Sequence, residues 1–542
     1  MKSSLVLSSL SIAAITQVIA QPNSSTGLIA NTRQGPVRGI EVQNKVNAFL
    51  GVPYAQPPLG FLRFEPPQPP LNRASDGHSN VLNATKFGPV CHQFHYRTIL
   101  GDSLVETSGQ SEDCLTLNVF VPRHAFRRKD GLLPVFVWSY GGAFGEGGAS
   151  MPLFNPNQFV AENKDVIVVT WNYRLNIFGF PNTPALGAQN LGLRDQRAAL
   201  EWLRDNIAGF GGDAHRITLG GQSAGADSGS AMIYSHMDDP IVSGLILQSG
   251  TVQIIGAATQ NVDSEFVRVA TSVGCANSAD RLQELECMRT VNAEVLMRAI
   301  SDKTLNAFGA PSGGTPMVDN VTLFTMREYV HRGSAGKFAK IPTLMGHTKN
   351  EGDSILNWTE KCGVNKTLSD LATALIFNCN MALEAGFRHV HRVPTWRYRY
   401  AGVFPAVTPF PWARAYHQGK HSFFEIPTGP MRTISNSSAA DIPILMGTYN
   451  LLAQNKTREH RAATIGASRY LQQVFGAFIR DPSHGLEKMY QWPTFVPGLA
   501  TLIDLFPNNT ASAEFKISTQ DEMCKNAPPF PWIEVLKAPP RC

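Results

Sequence analysis

Arg216-Ile-Thr-Leu-Gly-Gly-Gln-Ser-Ala-Gly225 runs directly into Ala226-Asp-Ser-Gly-Ser-Ala-Met-Ile-Tyr-Ser235. The first four residues read as a buried strand, the last ten are compatible with a helix, and Gly221-x-Ser223-x-Gly225 stands at the joint. This order puts a serine on a sharp strand-to-helix turn. The flanking glycines let strand and helix approach closely, and the hydroxyl is left exposed above the sheet. The pentapeptide alone is weak, since about 0.3 chance copies are expected in a chain of this length and composition. The strand before it and the helix after it therefore carry the reading. A serine hydroxyl is a poor nucleophile until a base takes its proton, and acyl transfer needs N–H donors where the carbonyl oxygen becomes charged. The run Gly141-Gly-Ala-Phe-Gly-Glu-Gly-Gly148, directly after the apolar stretch Pro134–Tyr140, can present such donors.

Outward from the serine, Pro134–Tyr140, Val166–Trp171, Arg216–Leu219, Gly244–Leu247 and Ile341–Met345 are short runs, most of them rich in Val, Ile and Leu, bounded by Gly, Pro or Asn. Such runs are expected of strands buried on both faces of a mostly parallel sheet. Leu193 to Ile207 interleaves Leu193, Ala198, Leu200, Trp202, Leu203 and Ile207 with Arg194, Asp195, Arg197, Glu201, Arg204 and Asp205, an amphipathic helix. Alternating strands and helices predict an α/β fold, a mostly parallel central sheet flanked by helices. No low-complexity linker or internal repeat divides residues 21–542, so a single large domain with long loops is expected there.

The chain has 542 residues, 43% of them hydrophobic, with 47 Lys+Arg against 42 Asp+Glu. That excludes a disordered protein. No basic run is denser than Arg127–Lys129, which leaves nucleic acid without a footprint. Lys2 followed by the nearly uncharged Leu5–Ala20 reads as a signal peptide over residues 1–20. No later stretch approaches the roughly 18 apolar residues of a spanning helix, so stable membrane insertion is not expected. Glycosylation sequons begin at Asn23, Asn83, Asn320, Asn357, Asn365, Asn436, Asn455 and Asn508. Eight cysteines fall as the neighbours Cys91/Cys114, Cys275/Cys287, Cys362/Cys379 and Cys524/Cys542, which suits local disulfides, although other pairings are open. Together these features predict a secreted, extracellular protein. Neither the pair His389/His391 nor His417/His421 has the surroundings of a zinc site, and no P-loop or dinucleotide fingerprint occurs. No metal or cofactor is expected.

The chain resembles the type-B carboxylesterases, the family that includes cholinesterases and secreted fungal lipases and esterases. The resemblance rests on Gly51-Val-Pro-Tyr-Ala-Gln-Pro-Pro-Leu-Gly60, Ser111-Glu-Asp-Cys-Leu-Thr-Leu-Asn-Val119, Trp171-Asn-Tyr-Arg174, Asn190–Leu203, Gly221–Gly225 and Leu247-Gln-Ser-Gly250. It implies an α/β-hydrolase fold, hydrolysis of small carboxylic esters, Ser223 as nucleophile, and an oxyanion hole from the N–H groups of Gly142, Ala143 and Ala224. Ala143 stands where many members have Gly, and its methyl group could narrow substrate choice. The acid implied by Gly346-His-Thr-Lys-Asn-Glu-Gly352 is Glu351, with Asp353 as its competitor. In cholinesterases a Trp in the loop corresponding to Cys91–Cys114 receives a quaternary ammonium. Here that loop holds no Trp, with Leu104 near the expected place and Phe94 and Tyr96 as its aromatic residues, so choline esters are disfavoured. A lipase acting on long-chain esters and a catalytically silent binding protein are the alternatives.

The resemblance breaks at the base. The family's block is His-x-x-Glu/Asp, an apolar stretch and Gly-Thr. Pro409–His417 resembles its left half and Asp441-Ile-Pro-Ile-Leu-Met-Gly-Thr-Tyr449 its right half. Residues 418–440 separate them, about 21 more than the pattern holds, and an uninterrupted alignment puts Ser438 at the base position, where a hydroxyl cannot serve. His417 is the expected base, with His421 as the alternative. The extra segment is either a surface loop or a retained intron, which sequencing the transcript over codons 410–450 decides.

Overall fold

The computed structural model of the chain describes residues 27–42, 46–72, 81–93, 108–126, 131–255, 265–300, 314–356, 358–359, 363–404, 440–451 and 458–524. Among these residues the central sheet contains eleven strands. In chain order they are β1 (Ile40–Val42), β2 (Val46–Pro53), β3 (Thr116–Pro122), β4 (Leu133–Ser139), β5 (Ile167–Trp171), β6 (Gly212–Gln222), β7 (Gly244–Gln248), β8 (Thr343–Thr348), β9 (Thr395–Tyr400), β10 (Leu502–Leu505) and β11 (Ala513–Lys516). Across the sheet the order is 11-10-9-8-7-6-4-5-3-2-1. From β10 through β5 every pairing is parallel, and antiparallel pairs close both edges. The expected mostly parallel sheet is thus present.

Its apolar runs follow from burial on both faces. Val135, Phe136 and Val137 of β4, Ile167, Val168 and Val169 of β5, and Leu245, Ile246 and Leu247 of β7 are all inaccessible to solvent. Each such side chain contributes about 1.5–3 kcal/mol relative to exposure. β9 escapes an apolar-run reading because Trp396, Tyr398 and Tyr400 alternate with arginines. Those arginines are paired, Arg397 with Asp521 at 2.8 Å and Arg399 with Asp504 at 2.8 Å.

The amphipathic stretch forms helix α1 (Leu191–Asn206), and α2 (Ala224–Ser235) follows Ser223. Two charged residues of α1 depart from its expected polar face, since Asp195 and Arg197 are buried. Asp195 accepts hydrogen bonds from the backbone N–H, Nε and Nη2 of Arg174 at 3.0, 2.9 and 2.7 Å. Removing one partner of such a pair typically costs about 3–5 kcal/mol, because the survivor stays buried and uncompensated.

Cys91 pairs with Cys114 and Cys275 with Cys287, as expected. Cys379 pairs with Cys524 and not with a sequence neighbour, which corrects the local pairing for both. Asn378 and Arg397 both hydrogen-bond Asp521 and draw the segment carrying Cys524 against β9 and the helical turn that ends at Asn378. Cys362 and Cys542 lie outside the described residues, as do residues 1–20 and Asn23, Asn357, Asn436 and Asn455. Asn83, Asn320 and Asn508 are exposed, while the Asn365 side chain caps the helix Lys366–Ala372. Among the described residues, no helix is long and apolar enough to cross a membrane.

One feature of the strand order positions the site. β5 and β6 both follow β4 in sequence, yet they pair on opposite sides of it. At such a reversal the loops leaving the carboxyl ends diverge and open a crevice, where open α/β sheets bind ligands. The loop after β4 and the turn after β6 are the glycine-rich run and the Ser223 turn.

Candidate active site

Ser223 sits between β6 and α2 with φ 52° and ψ −124°, a conformation that costs a non-glycine residue about 1–3 kcal/mol. Neighbours hold it there. Its N–H donates to the Gln248 carbonyl at the end of β7 (2.8 Å), and its carbonyl accepts from the Asp227 N–H in the first turn of α2 (2.8 Å). The glycines are required sterically, because a Cβ on Gly221 would lie 2.5 Å from the Gly225 carbonyl carbon and one on Gly225 would lie 2.2 Å from the Ser139 oxygen. Ser223 itself is partly exposed.

The register of β4 and β6 pairs Ser139 with Gly221, so the next residues of each chain meet. A Cβ on Gly141 would stand 2.9 Å from the Ser223 Cβ, which places the glycine-rich loop directly against the serine. Gly142, Ala143 and Phe144 follow at φ 114°, 52° and 62°. Ala143 therefore holds a left-handed conformation that its methyl group disfavours. The loop is clamped from outside, with Gln93 donating to the Gly147 carbonyl (2.7 Å) and accepting from the Gly147 N–H (2.8 Å), two residues beyond the Cys91–Cys114 bridge.

Glu146 turns back onto this loop. Its N–H donates to the Gly142 carbonyl (3.2 Å), and its Cγ lies 2.9 Å from where a Cβ on Gly142 would be. Burial pushes its carboxyl up to about 7. Neutral Glu146 is thus favoured by the fold, and this contribution to stability is present below the ordinary 4.5 and lost as pH rises towards 7. Above about 7 a carboxylate beside the loop opposes the negative charge that acyl transfer develops. We expect kcat/KM to fall above about pH 7 and the fall to vanish in Glu146→Gln, as read from pH profiles of both chains between about pH 6 and 9. Parallel declines in the two profiles would exclude Glu146 as the cause.

Glu351 follows β8 and is fully buried. Its Oε1 accepts from the Ser249 hydroxyl (2.6 Å) and from the Thr348 N–H (2.6 Å). Gln248 receives the Ser223 N–H, so adjacent residues at the end of β7 join the serine to the glutamate. The competitor Asp353 accepts from Ser369 (2.5 Å), on the helix beyond it. Two residues of this constellation lie in blocks that carry the resemblance, yet neither is assigned a role by the sequence. Ser249 is one, at φ 53°. Asp441 is the other, buried, with Oδ2 accepting from the Gln248 side chain at 2.8 Å. The expected right half of the histidine block thus packs beside the serine, its apolar residues forming a fully buried short helix, α3 (Ile442–Met446). His417, His421 and Ser438 lie outside the described residues, as do Phe94, Tyr96 and Leu104.

The carboxylesterase family model matches residues 26–398. The chain belongs to that family. This carboxylesterase is 34% identical over 515 residues to the chlorogenic acid esterase of Aspergillus niger, covering 91% of this chain and 93% of that one. It is 32% identical over 542 residues to secreted lipase 5 of Gibberella zeae, covering 93% of each. A solved PNB esterase superposes with a TM-score of 0.71 at 27% identity, over 92% of this chain and 99% of its own. The fold is accordingly the α/β-hydrolase fold, and the protein is a carboxylic ester hydrolase. The family match ends before both halves of the histidine block and before residues 418–440, the segment that separates them.

Proposed function

We propose that this carboxylesterase is a secreted serine esterase that opens small carboxylic esters through an acyl-enzyme. Ser223 is the nucleophile, His417 its base, and Glu351 the acid that orients the imidazole and balances its charge. The N–H groups of Gly142, Ala143 and Ala224 receive the oxyanion. The observation that carries this reading is the strained Ser223 at the switch point, packed against Gly141 and linked through Gln248 and Ser249 to buried Glu351. In the first half-reaction the imidazole takes the Ser223 proton as Oγ bonds to the acyl carbon, and the carbonyl oxygen gains negative charge. The intermediate then collapses, the C–O bond to the alcohol breaks, and the imidazolium returns its proton to that alcohol. Water enters by the same steps and releases the acid.

The apolar leader over residues 1–20, the disulfides, the exposed asparagines of three sequons and a relative named as a secreted lipase support an extracellular location, with a signal peptide and glycosylation. Relatives named as a chlorogenic acid esterase and as a secreted lipase support ester substrates and leave the lipase alternative to be tested. A rate that jumps on emulsified triglyceride would favour the lipase. The direct test is labelling with a fluorophosphonate. One equivalent is expected on the peptide holding Ser223, and stoichiometric label on any other serine would overturn the assignment.

A further inference from the structure

Between α1 and α2 lies a cavity of about 300 Å³. It runs beside the part of α2 from Ser228 to Ser235 and on to His236, away from Ser223 at the other end of that helix. Leu193, Ala198, Ala231 and Met232 give it apolar walls, and Arg194 and Arg197 bring cations to it. Exposed Val321 and Glu201 stand at its rim. None of these residues belongs to the active-site constellation.

The two arginines differ in what they already hold. Arg197 is fully engaged, with Nε on Glu201 (2.8 Å), Nη1 on the Asp239 carbonyl (2.6 Å) and Nη2 on the Asp239 carboxylate (2.6 Å). Arg194 gives its Nε to the Gln189 carbonyl (2.8 Å), and the nearest carboxylate among the described residues, that of Asp319, is 3.9 Å away. Asp319 is itself occupied, accepting from the N–H groups of Val321, Thr322 and Leu323 and from the Thr322 hydroxyl. A half-buried guanidinium therefore stands at this mixed polar and apolar cavity with only a long ion pair, to Asp319.

We propose that this cavity binds a small monocarboxylate, its carboxylate on Arg194 and its apolar body against Leu193, Ala198, Ala231 and Met232. The volume matches the lower end of the range for small-molecule sites. One guanidinium with Glu201 and Asp319 nearby suits a single negative charge and disfavours a phosphate dianion. Ester hydrolysis releases such an acid at each turnover, so identifying the ligand with the product rests on the esterase reading, whereas binding itself does not. The cavity also has polar continuity with the chemistry. Ser228, on its wall, accepts from Gln196 (3.0 Å), and Gln196 accepts from Ser139 (2.9 Å), which ends the strand leading into the glycine-rich loop.

His236 supplies a second signature. Its ring meets the Ser235 hydroxyl at 2.9 Å, and burial followed by the Arg197 guanidinium lowers its proton affinity. Arg194 also lowers it, while Glu201 and Asp239 oppose them. A bound carboxylate favours the imidazolium, so affinity increases as pH falls.

The test is calorimetric titration of benzoate and of butyrate into the full secreted chain carrying Ser223→Ala, and into the wild-type chain blocked with a fluorophosphonate. Equal binding to both is expected. Arg194→Gln in either background should weaken it about tenfold or more, the usual effect of losing a charge-assisted hydrogen bond. Val321→Trp, which covers the mouth from an exposed position and leaves the core alone, should do the same. Affinity should rise as pH falls below about 6.5, and that rise should disappear in His236→Asn. No binding of either acid at about 10 mM, unchanged affinity in Arg194→Gln or Val321→Trp, or a pH response that survives His236→Asn overturns the proposal. Fluorophosphonate labelling reads the esterase assignment separately, so the two can fail independently.

Discussion

Replacing Ser223 with alanine is expected to lower kcat for a short-chain nitrophenyl ester by about 10^5- to 10^6-fold, the scale on which serine hydrolases lose their covalent route. Secretion and thermal unfolding should stay as in the wild-type chain. Alanine keeps the Cβ that packs against Gly141 and keeps the backbone groups that hold φ at 52°, so only the hydroxyl is removed. The residual rate is informative as well. Backbone donors that remain in place still stabilise an oxyanion formed by water attack, and sites of this kind retain about 10^3- to 10^4-fold acceleration over solution. Steady-state kcat and KM of the two chains, with their melting temperatures, check the expectation. A variant that kept more than about a tenth of the wild-type kcat would place the chemistry on another residue.

Local signals made much of this molecule legible. Between β6 and α2, an apolar strand, two glycines at fixed offsets and a helix-compatible stretch all lie within twenty residues, and each is a statement about neighbouring atoms. The same holds for β4, β5 and β7, whose burial on both faces leaves no polar position to interrupt the run. Features decided by distant partners were not legible. Arg397 and Arg399 make β9 look polar, and only Asp521 and Asp504, more than a hundred residues away, make burial affordable. Asp195 reads as a solvent-facing charge on α1 until Arg174 meets it. Cys379 chooses Cys524 over a neighbour because Asp521 anchors the intervening fold. Ser249 lies in the block Leu247–Gly250, but its hold on Glu351 exists only because β7 and β8 end side by side. Asp441 was legible as half of a block, whereas its contact with Gln248 depends on the packing around Ile442–Met446.

That contact bears on the base. β9 ends at Tyr400, the described residues run on to Phe404 and resume at Ala440, and a complete triad needs its base from the span between them. It contains two histidines, His417 and His421. In the family's block the base stands three positions before the acidic residue, and Asp441 lies beside Gln248, whose carbonyl holds the Ser223 N–H. We expect the base to enter at the Asp441 end of the site, with about 21 extra residues between His417 and Asp441. Two variants separate the candidates. His417→Asn should lower kcat by about 10^4- to 10^6-fold, comparable to losing the nucleophile because the two act as a unit. His421→Asn should change it by no more than about threefold, and the reverse pattern would move the base to His421. Deleting residues 418–438 joins His417 to Ala439-Ala440-Asp441 and restores the family spacing. With His417 as the base, residues 418–438 supply no proton transfer, so the shortened chain should retain kcat within about tenfold while still failing when His417 is replaced. Activity in the shortened chain that survives His417→Asn would show that neither spacing nor histidine at that position supplies the base.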